Sequence, residues 1–211
     1  LGARTSLLSV VGDDEAGAAI ERLVAADGIT ASLYHDPALP TTVKLRVIAR
    51  QQQLLRIDFE TRPSQEVLSA KLKEFGERLR DPDVVVLSDY GKGGLAHIAT
   101  MIGQARAAGR RVLVDPKGDD WARYRGATLV TPNRKEAEQA LGRKLSKIDD
   151  MPKAADDLMA MAGLDAAVIT LGADGIFYKD KRGTSGHVPA QARAVFDVTG
   201  AGDTVVAQLG F

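Results

Sequence analysis

Short apolar runs alternate along this chain with segments of helical periodicity, and this alternation constrains the fold more than any other feature. The runs are rich in Val, Ile and Leu and are continuous, which is typical of parallel strands covered on both faces. Five runs are present, at residues 6–11, 84–88, 111–114, 127–130 and 167–170. Helical spacing of apolar residues is found at 14–26, 95–108, 134–141 and 152–162. This order predicts an α/β fold on a doubly wound, mostly parallel sheet.

Residues 41–59 break this rhythm, because apolar and polar residues alternate with period two on both sides of the glutamines at 51–53. The pattern predicts an antiparallel β-hairpin with one face turned to solvent or to a partner. On its first strand, residues 43–50, the alternation places Lys44, Arg46 and Arg50 on one face. We interpret the hairpin as a lid or clasp within one domain. The alternative is an edge hairpin without a role, whose charges only keep that face soluble.

The ends of the chain predict that this domain, residues 1–211, is truncated on both sides. A predicted strand begins a few residues after Leu1, and Phe211 falls inside a predicted helix. Because intact domains seldom end inside an element, we expect further residues before and after the chain.

The composition argues against several classes of protein. Lys and Arg together number 28, as do Asp and Glu, so the formal net charge is zero and a general nucleic-acid binder is disfavoured. The absence of cysteine excludes disulfides and thiolate metal sites. No apolar run approaches the roughly 20 residues of a membrane span. We therefore expect a cytoplasmic protein with neither a nucleic-acid nor a membrane partner.

Polar residues, glycines and prolines directly follow four of the predicted strands. These segments are DYGKG at 89–93, DPKG at 115–118, TPN at 131–133 and LGADG at 171–175. The carboxyl ends of parallel strands lie along one edge of a sheet, where ligands of open α/β folds bind. One such segment would be an ordinary turn, but four in succession predict a binding surface.

A further segment, DVTGAGD at 197–203, precedes a predicted helix. Gly200, Ala201 and Gly202 leave the backbone N–H groups accessible at the helix start, where the helix dipole also favours an anion. An acid in that position would repel a bound phosphate. The presence of an acid here is explained if Asp203 accepts the proton of a hydroxyl that attacks the phosphate. The alternative is that Asp203 only caps the helix and the glycines form a plain turn.

This segment is similar to the C-terminal signature DxTGAGD of the ribokinase/PfkB family of carbohydrate kinases, with no mismatch. In the expected order, residues 133–136 (NRKE) resemble the NxxE motif and residues 170–175 (TLGADG) resemble the TxGxxG loop of that family. The resemblance implies a ribokinase-like fold and transfer of a phosphoryl group from ATP, with Mg²⁺, to a sugar hydroxyl. It implies that Asp203 is the catalytic base and that Gly200, Ala201 and Gly202 donate to the transferred group.

The same resemblance implies which residues bind the nucleotide and the metal. They are Asn133, Glu136, Thr170, Gly172, Gly175 and Lys117. Glu136 would orient water on Mg²⁺, because that ion keeps most of its waters and takes few protein ligands. In some relatives a monovalent cation is also bound, which implies that Asp197 and Thr199 hold K⁺.

Four longer segments, 39–60, 86–95, 114–133 and 196–204, resemble one branch of this family. Its members phosphorylate O1 of D-glycero-D-manno-heptose 7-phosphate to the 1,7-bisphosphate, on the route to the ADP-heptose of lipopolysaccharide core. The resemblance implies a homodimer through the hairpin as a β-clasp. The residues expected to bind the phosphosugar are Lys44, Arg46, Arg50, Asp89 and Lys92. The family's GG-rich N-terminal segment and its C-terminal helices near adenine are absent from the chain.

Two other functions fit the sequence. Another phosphosugar or nucleoside kinase of the family would share every motif. A non-catalytic sugar-sensing protein would keep the fold, although a pure binder has no need of Asp203 beside the Gly-Ala-Gly turn. A dinucleotide-dependent dehydrogenase is disfavoured, since residues 11–14 after the first predicted strand contain one glycine rather than GxGxxG.

Overall fold

The apolar runs pair into sheets, and their contacts divide the chain into two units. The computed structural model describes residues 2–50, 52–191 and 200–210. The first unit comprises residues 1–75 and 92–96, and the second comprises residues 76–91 and 97–211. Among the described residues, none of the helices combines the length and apolar character needed to cross a membrane.

The first unit begins with β1 (Ser6–Gly12), α1 (Glu15–Ala26) and β2 (Thr30–Asp36). β1 and β2 pair in parallel, with Ser6 opposite Thr30. Asp14 caps α1 by accepting from the N–H of Gly17 at 2.8 Å. Its carboxylate also accepts from the hydroxyl of Thr41 at 2.7 Å and from the N–H of Thr41 at 2.8 Å. These bonds, the hydroxyl bond first, lower the pKa of Asp14 and tie the start of α1 to the segment that leads into the hairpin.

The predicted hairpin is present as β3 (Val43–Ala49) and β4 (Gln52–Phe59), paired antiparallel. Three apolar pairs lie directly opposite one another: Val43 and Phe59, Leu45 and Ile57, and Val47 and Leu55. These six side chains share one face because each is two residues from the next along its strand. Each is 37–54% exposed. The hairpin therefore has a continuous apolar face that is open to solvent in this chain.

Arg50 does not follow the predicted alternation. β3 ends at Ala49, the register shifts between Val47 and Ile48, and Arg50 lies in the turn with φ of 47°. A left-handed backbone reverses the chain and re-aims the side chain, which periodicity alone does not predict. The placement of Arg50 on one strand face with Lys44 and Arg46 is therefore wrong.

The helix α2 (Gln65–Arg78) follows the hairpin and was not predicted from the sequence. Its first three turns belong to the first unit, where Lys71 joins α2 to β2. The Nζ of Lys71 donates to the carbonyl oxygen of Ser32 at 3.2 Å and to Glu74 at 2.9 Å, and the hydroxyl of Ser32 donates to Glu74. This polar cluster orients the helix on the strand.

The second unit is built on a six-stranded sheet in the order β10-β9-β8-β7-β6-β5. Its strands are β5 (Val84–Ser88), β6 (Arg111–Asp115), β7 (Leu129–Val130), β8 (Ala166–Thr170), β9 (Ile176–Asp180) and β10 (Ser185–Val188). β5 to β8 pair in parallel, whereas β9 and β10 add an antiparallel edge. The mostly parallel α/β fold predicted from the sequence is confirmed.

The helices of this unit are α3 (Ile98–Ala107), α4 (Arg134–Leu141), α5 (Met151–Ala162) and α6 (Ala201–Leu209), with a short 3₁₀ helix at Trp121–Tyr124. α5 buries Met151, Ala154, Ala155, Leu158 and Ala162 completely, at helical spacing. On β6, Val112 and Val114 are also fully buried. Burial of each such side chain larger than alanine stabilises the fold by about 1.5–3 kcal/mol. The core thus holds the strands in register and fixes the positions of the loops that follow them.

Candidate active site

The loops after the parallel strands meet at one edge of the sheet, as the sequence predicts. The N–H of Asp89, just after β5, donates to the carbonyl of Asp115 at the end of β6, at 2.9 Å. The N–H of Thr131 donates to the carbonyl of Val114 at 3.0 Å, and that of Thr170 to the carbonyl of Pro132 at 2.9 Å. The strand ladder therefore continues into the loops and places their polar side chains side by side.

Asp203 lies in the first turn of α6 and is exposed. The N-cap of this helix is Gly200, with φ of 79°, so Asp203 is not the capping residue. A Cβ added at Gly200 or Gly202 would meet no atom of the described residues within 4 Å, so none of them fills the space in front of the helix start. The first N–H groups of a helix lack partners within the helix. The turn can therefore donate to an anion while the carboxylate of Asp203 stands beside it.

The hydroxyl of Tyr90, in the loop after β5, donates to Oδ1 of Asp203 at 2.8 Å. The pKa of Tyr90 is raised, first by partial burial and then by the hydrogen bond to Asp203. The phenol therefore keeps its proton and remains a donor. Sequence analysis did not single out Tyr90, because 113 residues separate it from Asp203 and only the fold joins them.

Asp115 is a second site residue that sequence analysis did not select. Burial first, and then the negative charges of Glu136 and Asp203, raise its pKa to about 6. The hydroxyl of Thr131, 3.3 Å away, acts in the opposite direction. In the sequence, the one feature that could have marked Asp115 as a site residue is its place at the end of a strand, in the DPKG segment. Negative charge thus accumulates at this edge of the sheet, and a cation would relieve it.

Glu136 and Asn133 form a capping box at the start of α4. Oδ1 of Asn133 accepts from the N–H of Glu136 at 3.0 Å, and Oε2 of Glu136 accepts from the N–H of Asn133 at 2.9 Å. Oε1 of Glu136 pairs with Nζ of Lys117 at 2.7 Å. Three residues predicted for the phosphate and metal region are therefore in direct contact.

The loop after β8 carries Thr170, Gly172 and Gly175. Thr170 forms an isolated parallel bridge with Asn133, which joins this loop to the start of α4. Gly172 and Gly175 have φ of 63° and 92°, and the N–H of Leu171 donates to the carbonyl of Gly175 at 2.8 Å. Arg134 also reaches this loop, since its guanidinium lies 2.5 Å from Asp174. The predicted phosphate and nucleotide segments thus form one connected structure.

Asp89 was expected to contact the substrate, but its side chain is buried. The residue is 4% exposed. Its carboxylate accepts from the N–H of Gly91 at 2.8 Å and from the hydroxyl of Tyr124 at 2.9 Å, and it lies 3.4 Å from Arg123. Burial raises the pKa of Tyr124. Asp89 therefore anchors the loop from the inside, because a buried carboxylate is stable only when it is bonded and paired.

The remaining residues expected to bind the phosphosugar lie in the first unit. Lys92 forms an ion pair with Glu60. On the charged face of the hairpin, Lys44 stands opposite Asp58, and Arg46 stands opposite Arg56. Arg56, which the sequence analysis did not select, holds Asp58 through its Nη2 and its Nε, each at 3.0 Å. Three cations and one carboxylate leave this face with a formal charge of +2.

In the described part of the chain, no group of three or more His, Asp or Glu side chains is arranged to hold a metal ion. Asp197 and Thr199, predicted to hold K⁺, lie outside the described residues.

A family model of pfkB family carbohydrate kinases matches residues 1–209. The chain belongs to this family. The family predicted from the DxTGAGD, NxxE and TxGxxG motifs is therefore confirmed. The family is one of carbohydrate kinases.

Curated relatives narrow the similarity within the pfkB family. The chain is 45% identical over 209 residues to a D-beta-D-heptose 7-phosphate kinase from Bordetella bronchiseptica, covering 99% of this chain and 66% of the relative. It is 46% identical over 214 residues to the bifunctional protein HldE of Paramagnetospirillum magneticum, covering 99% of this chain and 44% of the relative. The chain thus spans less than two thirds of the length of these relatives.

Solved structures of more distant proteins share the fold. Phosphofructokinase-2 from Escherichia coli, in complex with fructose-6-phosphate, has a TM-score of 0.82 and 21% identity, covering 100% of this chain and 70% of that chain. Ribokinase from Giardia lamblia has a TM-score of 0.76 and 20% identity, covering 95% of this chain and 63% of that chain. The ribokinase-like fold is therefore confirmed.

We predict that Gly175→Ala destabilises the loop after β8 far more than Gly172→Ala. A Cβ at Gly175 would lie 2.0 Å from the carbonyl oxygen of Val188, whereas a Cβ at Gly172 would meet no atom within 4 Å in the part of the chain that the structure describes. Both changes place alanine at positive φ. This costs about 1–2 kcal/mol in the left-handed region, and more at Gly175, where φ of 92° and ψ of −135° suit glycine almost alone. Only the first adds a clash with backbone, so we expect its total cost to exceed about 3 kcal/mol. Urea unfolding measures both values, and equal costs would contradict the contact.

Proposed function

We propose that this protein transfers the γ-phosphoryl group of ATP to O1 of D-glycero-D-manno-heptose 7-phosphate and forms the 1,7-bisphosphate. The observation that carries the proposal is the exposed Asp203 carboxylate in the first turn of α6, beside the open Gly200–Gly202 turn. The choice of sugar is supported by the relatives named as heptose 7-phosphate kinase and HldE. The product would serve the ADP-heptose route to lipopolysaccharide core.

In the proposed reaction, Asp203 accepts the proton of the O1 hydroxyl as its oxygen attacks the γ-phosphorus. General base catalysis of this kind contributes about 10²–10⁴ in rate. The N–H groups of Gly200, Ala201 and Gly202 donate to the oxygens of the transferred group. Each well-placed donor contributes about 3–4 kcal/mol to the transition state.

Glu136 and Asp115 fit a role in holding Mg²⁺ beside the phosphates. Burial, and after it the negative charges of Glu136 and Asp203, raises the pKa of Asp115, so a divalent cation would be favoured there. Mg²⁺ commonly takes one or two carboxylates plus waters and substrate phosphates. When bound, Mg²⁺ would neutralise the charge that develops on the phosphoryl oxygens. Asp197 and Thr199 are proposed to hold K⁺.

The nucleotide is proposed to lie on the loop of Thr170, Gly172 and Gly175, with Asn133 and Lys117 near its phosphates. The positive φ of both glycines opens the backbone of this loop. Lys117 is about half exposed and pairs with Glu136, so its ammonium lies where phosphates would approach the carboxylates.

The charged face of the hairpin is proposed to attract the 7-phosphate. Lys44 and Arg46 lie on it with Arg56, and Asp58 neutralises one of the three cations. Arginine can hold a phosphate through two parallel hydrogen bonds. Lys92 is retained as a proposed contact, whereas Asp89 is proposed to position its loop rather than to touch the sugar.

The apolar face of the hairpin is proposed to join two copies of the protein. A two-stranded hairpin is at best marginally stable in water, and here its six apolar side chains are substantially exposed. Pairing with the same face of a second copy would bury them symmetrically.

We predict that Asp203→Asn lowers kcat at least about a hundredfold, because the amide cannot accept the proton. Steady-state phosphorylation of heptose 7-phosphate by the purified protein measures this. Fructose 6-phosphate, a nucleoside and unphosphorylated heptose serve as comparison acceptors. ATP affinity and the thermal midpoint should remain near those of the wild type, because Asp203 is exposed. A variant that retains a tenth of kcat, or a wild type that prefers another acceptor, would contradict the proposal.

We predict that Arg46→Ala lowers kcat/KM for heptose 7-phosphate about tenfold or more, since a charge-assisted bond contributes about 1.5–3 kcal/mol. The loss should be much smaller for unphosphorylated heptose. Arg22→Ala, an exposed arginine on α1, is the matched control and should leave both values unchanged. Equal losses on both sugars would show that this face does not bind the phosphate.

We predict a homodimer in analytical ultracentrifugation at tens of micromolar. Leu45→Glu places a charge in the apolar face and should shift the protein to monomer. Leu23→Glu, at a 67% exposed position on α1, is the control and should stay dimeric. A wild-type protein that sediments only as monomer would refute the clasp.

A further inference from the structure

The DYG segment at 89–91 contains a tyrosine to which the proposed reaction gives no role. The Tyr90 hydroxyl lies 2.8 Å from Oδ1 of Asp203. The side chain is 49% exposed, so packing in the core does not explain why it lies there. The contact joins the loop after β5 to the first turn of α6, both within the second unit.

The loop that carries Tyr90 is held firmly on both sides of the residue. On one side, the buried carboxylate of Asp89 accepts from the hydroxyl of Tyr124 and from the N–H of Gly91. The N–H of Asp89 also donates to the carbonyl of Asp115. On the other side, Gly91 has φ of 70°, which turns the chain sharply. These bonds leave the backbone of Tyr90 little freedom, so the direction of its phenol is set by the fold.

An exposed carboxylate on a helix can rotate among several conformers, and a general base must present one oxygen to the hydroxyl it deprotonates. The bond from Tyr90 occupies Oδ1 of Asp203 and leaves Oδ2 for the proton. Because burial and the charge of Asp203 raise the pKa of Tyr90, the phenol stays protonated and donates throughout.

We propose that Tyr90 is a positioning residue that fixes the orientation of the Asp203 carboxylate for proton transfer. This inference rests on the proposed function. In the step, the O–H bond of the sugar breaks and its proton passes to Oδ2 of Asp203. The sugar oxygen forms a bond to the γ-phosphorus as the bond between that phosphorus and the departing ADP oxygen breaks. Tyr90 neither gains nor loses a proton.

The test is Tyr90→Phe, which removes the hydroxyl and keeps the ring. We expect kcat to fall about tenfold, while KM for ATP and for the sugar and the thermal midpoint stay near wild type. Misplacement of a catalytic group lowers the rate without weakening substrate binding. Tyr178→Phe, which removes a hydroxyl from an exposed tyrosine on β9, is the matched control and should leave kcat unchanged.

A double-mutant cycle separates this inference from the proposed function. If Tyr90 acts through Asp203, then Tyr90→Phe should cause no further loss in the Asp203→Asn background. A full additional loss there would overturn the inference, as would unchanged kcat, a rise in KM alone, or a fall in the thermal midpoint that accounts for the lost rate. An active Asp203→Asn variant would instead remove the proposed base itself.

Discussion

Parallel pairing of β5, β6, β7 and β8 is the constraint on which the site depends. It brings four loops, which begin as far apart in the chain as Asp89 and Leu171, to one edge of a sheet. The backbone bonds of Asp89, Thr131 and Thr170 extend this pairing beyond the ends of the strands. The core of valines, leucines and alanines stabilises this ladder. The ladder places the loops, and contacts such as Lys117–Glu136 and Tyr90–Asp203 then orient side chains within the site.

Carboxylates dominate this edge, and their environments separate their roles. Asp89 is buried and fully bonded, so it stabilises a loop. Asp115 is half-buried near two other negative charges, and its pKa rises to about 6. Asp203 is exposed beside an open helix start. Three aspartates thus provide an anchor, a region that favours a cation, and a proposed base.

The sequence predicted the elements with strong periodicity and the motifs that follow them. Four of the strands of the six-stranded sheet, the hairpin, and the helices α1, α3, α4 and α5 lie within three residues of their predicted bounds. α2 was missed because its polar sequence shows little apolar spacing. β2, β9 and β10 were missed because polar residues interrupt their apolar runs. The glycine and aspartate positions of the site were predictable because turns require those residue types.

Long-range contacts could not be predicted in the same way. Tyr90 and Asp203, or Arg46 and Arg56, become neighbours only once strand order and register are known. The burial of Asp89 was equally hidden, since a polar residue after a strand is more often exposed than enclosed. Arg50 shows the limit of periodicity itself, because the alternation rule ends where the backbone adopts positive φ.

Gly175 lies close to the backbone of Val188, so the loop after β8 and the strand that carries Asp115 are held by different parts of the sheet. The loop of Gly175 rests against the end of β10, the outermost strand of the sheet. Asp115 belongs to β6, an inner strand with fully buried neighbours. Local opening of the backbone requires less free energy where few buried contacts hold it, and this sets the rate of amide exchange. We therefore expect the amides of the Gly175 loop to exchange faster than those of β6.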